Sequence, residues 1–209
     1  MIKTITTSIL AITIASVALS GCGSGQSRST ATAKASASVP ADVTKATHEL
    51  DEVIVGLKGI RDSSDDADLK KLYGGLKSNA GELHDALGDV ASSSASAVSA
   101  GQDQIKEWHQ QADGFTDPDL RNSSNKRESD LRQAVDALAV SNAQCTKISE
   151  AYESQLSQTL SALDLDLSRA GVKSVEPVVA KLVGGGSDLR SALSDVSEKS
   201  AAVNAVIHR

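Results

Sequence analysis

Aromatic residues are nearly missing from this chain. One Trp, two Tyr and one Phe make up 2% of its 209 residues, so a globular core built on large rings is unavailable. Ala, Ser, Leu, Val and Asp recur instead, which leaves thin, repetitive packing by Leu, Val and Ala and points to helices. An excess of basic charge is missing too. Lys and Arg number 21 against 27 Asp and Glu, a net of −6, and such a surface has no electrostatic case for nucleic acid. Cysteine is limited to Cys22 and Cys145. The apolar stretch from Ile9 to Leu19 is too short and too interrupted to span a bilayer.

That stretch has another reading. It follows Met1-Ile2-Lys3 and precedes Ser20-Gly21-Cys22, the order of positive region, apolar region and small residues that marks a secretory signal peptide. Residues 1–21 are expected to be that signal. Leu19-Ser20-Gly21-Cys22 resembles the lipobox of bacterial lipoproteins, which implies acylation of the Cys22 sulfur, palmitate-like chains, and cleavage before it. Two or three acyl chains, at about 0.8 kcal/mol per buried CH₂, hold a protein at a membrane where one chain holds only marginally. Gly23 stands where an Asp retains lipoproteins at the inner membrane in the Gram-negative sorting rule. The expected location is therefore the cell envelope and, in a Gram-negative cell, the outer membrane facing the periplasm. Cleavage removes Lys3 and no acid, leaving 20 basic residues against 27 acidic, a net of −7. With Cys22 consumed by lipid, Cys145 has no partner for an intramolecular disulfide.

Residues 23–37 show no apolar periodicity and are rich in Gly, Ser and Thr. The expectation is a lipidated Cys and flexible tether over 22–37, able to reach roughly 50 Å when extended. The helical domain is then 38–209. Ser38-Val39-Pro40 reads as its first helix start, with Pro40 in the first turn where its missing N–H costs nothing. Val43, Ala46, Leu50, Val53, Ile54, Leu57 and Ile60 follow at helical spacing, until the acidic run Asp62–Asp68. A second series steps by threes and fours from Leu69 through Leu83, Ser94, Gly101 and Ile105 to Trp108 and Ala112. The segment 113–119 reads as a turn with either Asp117 and Pro118 as cap and first helical residue, or Thr116 and Asp119 as a capping box. A third series runs Leu120, Ser124, Arg127, Leu131 and on to Cys145, Ile148, Tyr152, Leu160 and Leu163, and a fourth runs from near Ser168 through Gly186 to Ile207.

Short connections force neighbouring helices antiparallel. The predicted fold class is all-α: an elongated antiparallel bundle, coiled-coil-like, with three long helices and one shorter N-terminal helix. In that arrangement one half has four helices and the other three, the tether leaves near the middle, and the Trp108 tip is the end most free to meet a partner. Pro177 and Gly184-Gly185-Gly186 predict a kink or break in the last helix, with close helix approach as the competing account of the glycines.

The chain resembles the bacterial family catalogued as domain of unknown function 2959. The residues that carry this are Ile105, Trp108, Asp119-Leu120-Arg121, Ser124, Leu163-Asp164-Leu165-Asp166-Leu167-Ser168 and Gly171-Val172, spread over most of 65–208. Many members have a Lys-His-Asn-Leu-Asn run near the last turn, where this chain has Leu-Asp-Leu-Asp-Leu, so nothing tied to that run is carried over. The resemblance implies an envelope protein with no assigned activity.

Chemistry-bearing patterns are sparse. His48, His84, His109 and His208 lack the helix-face spacings that present metal ligands. Cys145 sits at a core step with no His-plus-acid pattern to activate it, and Gly184–Gly186 lacks the following Lys-Ser/Thr of a phosphate loop. No nucleophile–base or paired-carboxylate constellation is found, so no enzyme activity, cofactor or metal is expected. The tip at the second turn gathers Trp108, His109, Phe115, Arg121 and Arg127, with His208 and Arg209 expected nearby. Trp108 either plugs the end of the bundle or, with Phe115, anchors an envelope partner while Arg121 and Arg127 meet an anionic group. The alternative function is a binding module for a lipid or other apolar ligand inside the bundle, lined by Ser94, Gly101, Ser141, Cys145 and Gly186.

Overall fold

Leu, Val and Ala at alternating three- and four-residue steps cover one stripe of each helix, and four such stripes meet in one core. The computed structural model describes residues 21–63 and 66–208, and the elements are α1 (Gly21–Asp62), α2 (Asp66–Ala112), α3 (Pro118–Leu165) and α4 (Arg169–Ile207). The fold is an all-α bundle, with no strand among the described residues. Residues 1–20 of the expected 1–21 signal segment, residues 64 and 65, and Arg209 lie outside the described residues. Each helix packs on its two neighbours in the order α1, α2, α3, α4 and back to α1, while α2 and α4 barely touch across the diagonal. Partners fall in number along one helix as they rise along the next: Arg28 with Glu107, Thr32 with Ala100, Lys45 with Asp89.

The N-terminal helix differs most from expectation. It begins at Gly21 rather than near Pro40 and has 42 residues, three more than α4, so it is not a short helix and residues 22–37 are not a flexible tether. Pro40 lies in its interior. Because α1 pairs with α2 from Arg28 onward, the bundle has four helices on both halves, and the chain does not leave it at mid-length. The physical reason is that small hydroxyl residues fill the fourth corner. Thr32 and Ser36 are fully buried beside Val39. Ser36 Oγ donates to the Thr32 carbonyl at 2.7 Å, and Thr30 Oγ1 to the Gln26 carbonyl at 2.9 Å, so hydroxyls that favour turns are satisfied inside the helix. Others cross between helices: Thr32 Oγ1 to the Ala100 carbonyl (3.0 Å), Ser200 Oγ to the Ser36 carbonyl (2.6 Å) and Gln104 Nε2 to Ser29 Oγ (2.8 Å).

The two halves are therefore built differently. Around the α1–α2 and α3–α4 turns the core is Leu50, Leu57, Ile60, Leu69, Leu76, Leu163, Leu182 and Leu189, all fully buried. Around the α2–α3 turn, buried Thr32, Ser36, Ser94, Gln104, Glu128, Ser141 and Ser200 are interleaved with Leu131, Val135 and Leu138.

α4 runs unbroken through Pro177 and the three glycines, so the expected break is absent. Val172, Val175, Val179 and Leu182 are all buried around the proline, and their packing holds the helix across one lost hydrogen bond. Gly186 is a contact point: a Cβ there would stand 2.5 Å from Ile54 Cδ1. Gly184 faces open space, and nothing in the structure explains it.

Candidate functional site

The α2–α3 tip is built by one cap. Asp117 is the N-cap of α3, its carboxylate accepting from the amides of Asp119 (2.8 Å) and Leu120 (3.1 Å), with Pro118 as the first helical residue. Of the two predicted caps, Asp117 with Pro118 is the one formed. Arg121 turns back to donate from Nε to the Phe115 carbonyl at 3.1 Å, which ties the turn to the helix and occupies the guanidinium. Arg127 lies over the Trp108 ring at 5.3 Å from its centroid, a cation–π contact. Trp108, Phe115, Leu120, Ser123, Ser124 and Arg127 line a concavity of about 220 Å³.

Trp108 is half-buried and packs against the core, whereas Phe115 is 37% and Leu120 58% exposed. The structure thus brings Trp108, Phe115 and Arg127 together and leaves Arg121 engaged inside its own turn. It also adds Leu120, which the heptad reading places in the core. The third series slips by one residue here. Glu128, not Arg127, faces inward, its carboxylate 2.7 Å from Arg132 Nη2 and 3.4 Å from His109 Nδ1. No sequence signal separates the two readings, because 124–127–131 and 124–128–131 both alternate threes and fours.

The remaining histidines are on the surface, and His84 Nδ1 meets Glu153 Oε1 at 2.8 Å across α2 and α3. The Glu153 hydrogen bond and charge raise the His84 pKa. Among the described residues no group of three or more His, Cys, Asp or Glu is placed to hold a metal ion.

Gly101 and Gly186, expected to line an interior binding space, are met by side chains of the adjoining helices. A Cβ on Gly101 would stand 2.4 Å from Val135 Cγ2, just as one on Gly186 meets Ile54. These small residues admit a neighbouring side chain. An open groove of about 680 Å³ runs instead between α3 and α4, lined by Ile148, Tyr152 and Ala192 beside Gly185.

Cys145 is buried, and burial pushes its thiol up to about 11. At pH 8 only about one molecule in a thousand carries the reactive thiolate. In the native chain the Cys145-containing peptide should stay unmodified by iodoacetamide under conditions that label it fully in guanidinium. Mass spectrometry of the digest reads both, and rapid native labelling would show that the α3 core opens freely.

No family model, curated protein or solved structure matches the chain.

Proposed function

We propose that this chain is a non-enzymatic lipoprotein of the cell envelope, held at the membrane through Cys22, in which an elongated antiparallel, coiled-coil-like bundle acts as a structural and interaction rod. The observation that carries the reading is Leu19-Ser20-Gly21-Cys22 behind a short apolar segment and a lysine. Among the described residues no helix is long and apolar enough to cross a membrane, so attachment in this reading rests on the lipid. A helix of 47 residues such as α2 is about 70 Å long, which gives the rod its reach. The domain-of-unknown-function 2959 resemblance supports the same placement, and Gly23 favours the outer membrane of a Gram-negative cell. The partner class is an envelope protein.

The test is expression of the full chain in a bacterium fed an alkyne-tagged palmitate analogue. The chain should carry the tag and partition into detergent on phase separation, and Cys22→Ser should lose both. A Cys22→Ser chain that keeps the tag, or a parent chain that never acquires it, overturns the reading.

A further inference from the structure

The lipid-bearing end of α1 and the aromatic tip lie at the same end of the bundle. Arg28 Nη2 contacts Glu107 at 3.0 Å and Gln104 contacts Ser29. From Arg28, α1 continues six residues back to Cys22, about 9 Å at 1.5 Å per residue. From Glu107, α2 continues five residues to Ala112, about 8 Å, before the turn that carries Phe115. The Cys22 backbone is therefore level with the α2–α3 turn, with no tether between the two.

The geometry points to the α2–α3 tip as a membrane-contacting surface: Trp108, Phe115 and Leu120 sit in the interfacial layer of the bilayer that holds the Cys22 lipid. This rests on the lipoprotein reading above. An acylated Cys22 holds the end of the α1 helix at the bilayer surface, so the exposed Phe115 and Leu120 at that end are kept within reach of it. Phe115 and Leu120 are the side chains that gain by leaving water there. An amphipathic indole flanked by a guanidinium, as Trp108 is by Arg127, suits the headgroup boundary. The charges specify the lipid. Asp113, Asp117 and Asp119 offset Arg121 and Arg127 around the turn, so the tip has no net attraction for anionic headgroups, and contact is expected with zwitterionic lipid and with little dependence on salt.

Trp108 is the only tryptophan in the chain, which makes the test direct. The lipidated full-length product is reconstituted into phosphatidylcholine vesicles, with or without bromine on the acyl chains, and floated on a density gradient. Acyl-chain bromines quench a tryptophan only at near contact. The expected result is a blue-shifted Trp108 emission that loses most of its intensity in the brominated vesicles, with the loss reduced in Phe115→Ser/Leu120→Ser protein that still floats. Floating protein with equal emission in both vesicles overturns the tip contact while leaving the anchor intact. Protein that does not float, with an unmodified Cys22 by mass, overturns both.

Discussion

Leu57→Ala should lower unfolding free energy by about 2–5 kcal/mol, the range for deleting a fully buried leucine side chain. Leu57 has no exposed surface, and it belongs to the leucine-rich half, where Ile60, Leu69 and Leu76 are equally buried. Rigid helices on all sides leave little room to collapse onto the gap, so the cavity term adds to the lost transfer energy. At roughly 2–4 °C per kcal/mol for a chain of this size, the melting temperature falls by roughly 4–20 °C. The matched control is Ser94→Ala in the other half. Ser94 Oγ is buried without a hydrogen-bond partner, so removing it relieves a desolvation penalty and should leave stability unchanged or higher. Urea titrations of both variants measure the difference. A Leu57→Ala loss under about 1 kcal/mol would show that the core there is loosely packed.

That contrast also marks where sequence reading succeeds. From Val43 to Ile60 the apolar steps name the buried side of α1 residue by residue, and the structure buries every one of them. Large aliphatic side chains leave only one face that can turn inward. In residues 26–38 there is no such asymmetry: Ser, Thr and Ala have similar size on every face, and hydropathy cannot tell a solvated segment from one whose hydroxyls bond to carbonyls. The information that makes it a helix lies in partners far along the chain, Ala100 for Thr32 and Ser200 for Ser36. Local composition does not contain it.

The tip shows a second limit. Heptad counting fixes a stripe but not which of two adjacent charged residues completes it, and at Arg127 and Glu128 the choice falls to interactions with α2: the Trp108 ring takes the guanidinium, while the carboxylate goes inward to Arg132 and His109. Leu120 is misplaced as well. It is the third residue of α3, beside the Asp117 cap, and stands 58% exposed on the wall of the concavity it shares with Trp108 and Phe115 rather than in the core. Its exposure leaves an apolar side chain facing water at this end of the bundle.

Gly171→Ala should be the most damaging single methyl added to this fold. A Cβ at Gly171 would stand 1.9 Å from the Asp166 carbonyl oxygen and 2.9 Å from both the carbonyl carbon and Cγ of Asp166. Backbone cannot rotate aside as a flexible side chain can, so the α3–α4 turn has to move. That turn is held by Ser168, the N-cap of α4, which accepts from the Gly171 amide at 3.3 Å, and by the Asp166 amide bonded to the Ala162 carbonyl at 3.3 Å. Overpacking of this kind costs about 1–3 kcal/mol, occasionally more, and a backbone obstacle belongs at the upper end. Gly184→Ala supplies the opposite sign. That position is mid-helix with nothing within 4 Å of the added carbon, so alanine should raise stability by roughly 0.5–1 kcal/mol by reducing the freedom of the unfolded chain. Thermal melts of the two variants should bracket the parent, and a Gly171→Ala protein as stable as the parent would mean that the turn is built more loosely than the Asp166–Gly171 contact requires.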